Sequence, residues 1–148
     1  MIQIRVECVL DKCAEDVFDA LADHESYERY PGFTSSILLE PGTVEKNGVG
    51  ALRRLAGAGA SFEERITVFE RPLKMSYHCE KVRPIPLRHE RGDILLEPMG
   101  DQTRVIWISE GRIRIPVVGH FFEKFMERRA SQAFLMILKH IEKSCGSS

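Results

Sequence analysis

Hydrophobic and polar residues alternate from the start of the chain. Ile2, Ile4, Val6, Cys8 and Leu10 fall on one side, and Gln3, Arg5, Glu7 and Val9 on the other. That period of two predicts a half-buried strand over residues 2–10. Asp11 is placed to cap a helix, because its carboxylate can accept from the free amides of a first turn. Residues 14–22 then read as a short helix burying Val17, Phe18 and Leu21. A second short helical or turn segment covers residues 24–30 and stops at Pro31-Gly32, since proline cannot continue a helix.

Beyond Gly32 the period returns to two. Strands are expected at 34–40, 48–55, 61–69, 74–82, 88–97 and 103–114. Turn residues separate them, among them Pro41-Gly42, Asn47-Gly48, Gly57-Ala58-Gly59, Pro72, Pro84-Ile85-Pro86 and Gly100-Asp101. Short connections between consecutive strands imply an antiparallel meander. Pro116 closes the strands, and a helix is expected over about 118–144. Its apolar positions Phe122, Phe125, Met126, Ala130, Ala133, Phe134, Ile137, Leu138 and Ile141 recur at steps of three and four. The last four residues, 145–148, are expected to form a disordered tail.

The order is strand, two short helices, six strands and a long helix, which predicts an α+β layer pair in a single domain, residues 1–144. The expected architecture is a curved antiparallel seven-stranded sheet wrapped around the long C-terminal helix, with the two short helices after the first strand closing one end. A sheet gripping a helix in this way encloses more volume than side chains readily fill, a setting for an apolar ligand cavity.

Composition narrows the functional classes. The 148 residues carry 21 Lys+Arg against 22 Asp+Glu, a formal charge of −1. A nucleic-acid partner is not expected, because its footprint needs clustered excess Lys and Arg. No apolar run approaches the ~20 residues of a membrane span, and the early charges leave no signal-peptide core. The cytoplasm is the expected location. Cys8, Cys13, Cys79 and Cys145 contain no C-x-x-C pair, so neither a disulfide framework nor a zinc knuckle is expected.

At this length and order of elements the sequence resembles the START/Bet v 1-like helix-grip superfamily, in particular its polyketide cyclase/dehydrase-like branch. The resemblance runs from about Ile4 to Ile141. It rests on Val17-Phe18-Asp19-Ala20-Leu21-Ala22-Asp23 with Tyr27 and Tyr30-Pro31-Gly32-Phe33, and on Gly48-Val49-Gly50. It continues through Phe62-Glu63-Glu64-Arg65-Ile66-Thr67 with Pro72 and Tyr77, the stretch Gly92 to Pro98, and Thr103-Arg104-Val105-Ile106-Trp107. These motifs specify a fold rather than a reaction, because one architecture serves carriers, sensors and enzymes.

Polar residues that share parity with apolar ones are the candidates for chemistry. Glu64 shares a face with Phe62, Ile66 and Val68. Arg53 falls with Val49 and Ala51, Tyr77 with Met75 and Cys79, Glu90 with Gly92, Ile94 and Leu96, and Ser109 with Val105 and Trp107. On this reading Arg53, Glu64, Tyr77, Glu90 and Ser109 point into one cavity. The principal expectation is binding of a hydrophobic small molecule, lipid-like or polyketide-like. Phe62, Tyr77, Trp107, Phe122, Phe125 and Met126 would supply apolar wall, and Arg53, Glu64 and Ser109 would orient polar atoms of the ligand. Glu64 and Arg53 also have a purely structural reading, as partners that spare each other an unpaired buried charge.

The resemblance implies two alternatives. One is a cyclase or dehydratase with Glu64 or Tyr77 as proton carrier and Arg53 holding an enolate oxygen. The other is a coenzyme-Q-binding-type chaperone or protein-interaction module, suggested by Ser26 to Phe33. No cofactor is expected, and no metal either. His120 and Glu123 lie three apart on the long helix without a third ligand, and His24, His78, His89 and His140 are scattered. Cys13 reads as a small helix-start residue. Gly57-Ala58-Gly59 reads as a hairpin tip, because no helix follows as a phosphate loop would need. Arg83, Arg88, His89 and Arg91 cluster around two prolines. Glu80, Glu90 and Asp93 flank them, which reads as a solvated rim rather than an anion site.

Overall fold

The computed structural model describes residues 1–115, 117 and 119–144. Pro116, the expected helix start at Val118, and the expected tail 145–148 with Cys145 lie outside the described residues. Within them the elements run β1 (Ile2–Leu10), α1 (Ala14–Ala22), a 3₁₀ segment (His24–Arg29), β2 (Ser35–Glu40), β3 (Leu52–Gly57), β4 (Ala60–Glu70), β5 (Lys74–Arg83), β6 (Leu87–Met99), β7 (Gln102–Ile113) and α2 (His120–Ser144). The strands form one antiparallel sheet in the order β1-β7-β6-β5-β4-β3-β2. This is the expected helix-grip fold.

Local sequence accounts for most boundaries. The β3–β4 turn places Ala58 at φ 52° and Gly59 at φ 80°, the left-handed pair that a tight two-residue hairpin needs. The expected third strand at 48–55 starts later, at Leu52. Gly50 at φ 90° and the turn bonds Gly48 N–H to Glu45 C=O and Ala51 N–H to Gly48 C=O turn Gly48 and Val49 away from the strand path, while Gly50 and Ala51 still exchange backbone bonds with Ile66 of β4. Val49 is correspondingly 44% exposed instead of inward. Asp11 does not cap α1. Cys13 occupies the cap position and makes no side-chain cap bond. The Asp11 amide donates instead to Glu142 Oε2 at 2.8 Å.

That last bond belongs to a set that fixes α2 along β1. The N-terminal amine of Met1 meets Glu123 Oε2 at 2.8 Å, and the Gln3 amide donates to Glu127 Oε2 at 2.8 Å. Three glutamates on one face of the helix therefore satisfy edge donors of β1 and its continuation. The helix lies parallel to that edge strand, and its C-terminal half covers the core. Ile137, Leu138 and Ile141 are buried there, together with Val17, Phe18 and Leu21 of α1.

Burial along the inward face is uneven. Near the β6–β7 hairpin, Leu10, Met75, Ile94, Leu96 and Val105 are at most 3% exposed. At the opposite end, beside the β3–β4 hairpin and the start of α2, the inward residues Phe62, Val82, Leu87, Ile113 and Met126 are only half-buried. Burial is complete at one end of the sheet and partial at the other, the open end.

Candidate functional site

Arg53 and Glu64 are directly opposite each other on β3 and β4, both on the inward parity. Side-chain period two therefore delivers both to the same face, and neither is free once there. Arg53 is 2% exposed. Its Nε donates to Glu64 Oε1 at 2.9 Å, its Nη2 lies 2.8 Å from the same oxygen, and its Nη1 donates to His24 Nδ1 at 2.7 Å. The guanidinium plane also covers the Tyr27 ring, 4.6 Å from the centroid, a favourable cation–π geometry.

His24 enters from the 3₁₀ segment and is fully buried. Because Nδ1 accepts from Arg53, the ring proton sits on Nε2, which donates to the Asn47 carbonyl at 3.0 Å. Burial, reinforced by the Arg53 charge, lowers the His24 pKa to about 2. The Ser36 hydroxyl donates to the His24 carbonyl, which anchors this segment to β2.

On the other side of the pair, Glu64 Oε2 accepts from the Cys79 thiol at 3.6 Å. The Cys79 amide in turn donates to His89 Nδ1 at 3.1 Å, and His89 Nε2 lies 3.3 Å from Ser109 Oγ. Tyr77 stacks on His89 with centroids 5.4 Å apart, and its oxygen accepts from Trp107 Nε1 at 2.9 Å. Trp107 stacks on Phe134 of α2 at 4.2 Å. A continuous polar chain thus runs across the inner face, His24–Arg53–Glu64–Cys79–His89–Ser109.

The electrostatics of this chain hold protons in place. Burial and the Glu64 charge push the Tyr77 phenol and the Cys79 thiol upward, and burial pulls the His89 imidazole down. The histidines are held neutral, the phenol and thiol protonated, and the one full positive charge is matched by Glu64. Such a site can orient a polar ligand atom through its hydrogen-bonding groups.

Of the residues singled out from sequence, Arg53, Glu64, Tyr77, Trp107 and Ser109 are buried on the inner face. Phe62 and Met126 are half-buried against the core at the open end. Phe122 and Phe125 are 41% and 50% exposed at the start of α2, because the helix leans on β1 and leaves that side uncovered. Glu90 is a correction. A bulge between His89 and Arg91 reverses the parity of β6, so Glu90 points outward and accepts from Arg112 at 2.8 Å. His89 takes the inward place. A second bulge, between Ile66 and Val68, substitutes Phe69 for Val68 on the inner face. His24 and His89 are the two site residues that periodicity missed. His24 lies in an irregular segment, and His89 is revealed only by the bulge. Glu123 is engaged by the N-terminus, and no group of three His, Cys, Asp or Glu suited to a metal occurs among the described residues.

Residues 1–143 match the model of the family described as polyketide cyclase / dehydrase and lipid transport. The chain belongs to this family. Solved structures of the same fold include a START superfamily protein from Mycobacterium smegmatis, 12% identical, TM-score 0.78, covering 97% of this chain and 99% of that one. A protein from Thermus thermophilus is 18% identical with TM-score 0.79, covering 99% of both chains. The Zhui aromatase/cyclase from Streptomyces sp. R1128 is 14% identical with TM-score 0.77, covering 97% of this chain and 92% of that one. At these identities the likeness is one of fold. Among curated proteins none matches the sequence. No helix among the described residues is long and apolar enough to cross a membrane.

Proposed function

We propose that the domain binds a hydrophobic small molecule, lipid-like or polyketide-like, between the sheet and α2, and admits it at the open end. The uneven burial of the inner face carries this reading. Phe62, Val82, Leu87, Ile113 and Met126 stay half-buried while their counterparts at the other end are sealed. A chain without a ligand to admit gains by closing over such residues, since each buried apolar side chain stabilises the fold by about 1.5–3 kcal/mol. The Arg53–Glu64 pair and Ser109 form the polar end of the space. Membership of a family that includes lipid-transport proteins supports binding. The free cysteines Cys8, Cys13 and Cys79 are consistent with a reducing compartment, and the cytoplasm is the location we propose.

Mass spectrometry of the solvent extract of the purified protein tests the reading. A hydrophobic compound should be released, and long-chain fatty acids or aromatic polyketides should raise the melting temperature of the emptied protein. Phe62→Asp, at the half-buried mouth, should weaken that response. An emptied protein indifferent to both compound classes would overturn the proposal.

A further inference from the structure

The β5–β6 ladder is short. Paired residues run only from Lys74↔Leu95 to Ser76↔Asp93, although both strands continue well beyond. The Cys79 amide, which a regular ladder would pair with backbone, is taken by the imidazole of His89. Between the separated strands lies a cleft of about 440 Å³ lined by His78, Cys79, Glu80, Leu87, Arg88, His89, Glu90 and Arg114. The sheet therefore has an opening in its wall whose floor is the His89 end of the polar chain.

The charges around this opening do not cancel. Both of its carboxylates are engaged by arginines outside it. Glu80 receives Arg65 through two bonds of 3.0 and 3.3 Å, and Glu90 receives Arg112 at 2.8 Å. Arg88 and Arg114 have no acidic partner among the described residues. The register aligns Arg88 with Arg112, and the Arg114 amide donates to Pro86 C=O. Arg88 and Arg114 are therefore diagonal neighbours on the outer face of the β6–β7 pair. Diagonal neighbours lie roughly 7–8 Å apart, a separation that two guanidinium forks can bridge through one oxyanion.

We propose that this opening is an anion site, in which Arg88 and Arg114 hold a carboxylate or phosphate group with His78 at its rim. The anion is either free or the head of an amphiphile. The site stands on the opening and its unmatched guanidiniums, so it does not depend on occupancy of the interior.

Titration of the whole chain with inorganic phosphate, decanoate and decanol, followed by ¹H–¹⁵N NMR, tests this. Phosphate or decanoate should shift the Cys79 and Arg88 amides saturably, and R88Q/R114Q should weaken that binding at least tenfold. R104Q, at the opposite end of β7 beside the β6–β7 hairpin, should leave it unchanged. Decanoate binding tighter than both phosphate and decanol assigns the anion to an amphiphile, whereas phosphate matching decanoate assigns a free anion, and both results support the site. Decanol matching decanoate with no phosphate response, or equal binding by parent and R88Q/R114Q, overturns it. Either failure leaves the interior-binding proposal standing, because that proposal is read from the co-purifying compound and from melting temperature with long-chain fatty acids or aromatic polyketides, in the parent and in Phe62→Asp.

Discussion

Arg53 Nη1 donates to His24 Nδ1 at 2.7 Å inside the protein, and this contact sets the protonation state of His24. An imidazolium has no lone pair at Nδ1 to accept that bond and would place a second positive charge against Arg53. The native protein therefore refuses a proton that the unfolded chain takes up at its ordinary pKa of 6.5. The native pKa is lowered, so the stabilisation is fully present above pH 6.5 and is lost progressively as pH falls below it. Between pH 7 and pH 5 the loss amounts to about 2 kcal/mol. Urea denaturation of the parent at the two pH values should show that decline, and His24→Gln should flatten it by about the same amount. His89, also lowered, contributes equally to both proteins and cancels in the comparison. Parallel pH dependences in parent and variant would contradict the assignment.

The same guanidinium carries a second expectation. Removing one member of a buried ion pair leaves the other unmatched, at a cost of about 3–5 kcal/mol. Arg53→Met should therefore destabilise strongly, and so should Glu64→Leu. The double variant should be less destabilised than the sum of the two by at least 1 kcal/mol, about the coupling expected of directly contacting residues. Chemical denaturation of the four proteins closes the cycle. Additive losses would mean that the pair contributes no coupling.

The alternation of β1 and β7 reads directly from sequence because their pairing, Ile2↔Gly111 to Leu10↔Thr103, has no irregularity. Arg53 and Glu64 were legible for a related reason. Each shares the parity of buried neighbours, and the short turn at Ala58-Gly59 sets them opposite each other. Glu90 and Val68 were misplaced because a bulge inserts one residue into the period without leaving a mark on composition. The period of α2 placed Ile137, Leu138 and Ile141 on the buried side, whereas Ala133 is exposed and Leu135 packs against the core. Where the helix leans is decided by Glu123, Glu127 and Glu142 meeting β1, so the exposure of Phe122 and Phe125 could not be read from the helix alone. His24 depends on an irregular turn whose conformation is fixed by its tertiary partners, Arg53, Asn47 and Ser36.

Gly92 decides where the Tyr77 ring can lie. A methyl group there would sit 2.6 Å from Tyr77 Cε2, 2.7 Å from Cζ and 2.8 Å from Cδ2. The ring has little freedom to yield, because it stacks on His89 on one side and its oxygen receives the Trp107 indole N–H. Gly92→Ala should therefore cost about 1–3 kcal/mol, the usual penalty for forcing atoms into a packed site. It should also perturb Trp107 emission, since the indole loses its acceptor when the phenol moves. In a Tyr77→Ala background the clash is absent, and the same Gly92→Ala change should cost less than about 0.5 kcal/mol, the range of substitutions that disturb no packing. Denaturation followed by the single tryptophan reads both quantities in one experiment. An equal cost in the two backgrounds would show that Gly92 is required for the β6 backbone itself and not for the close approach of Tyr77.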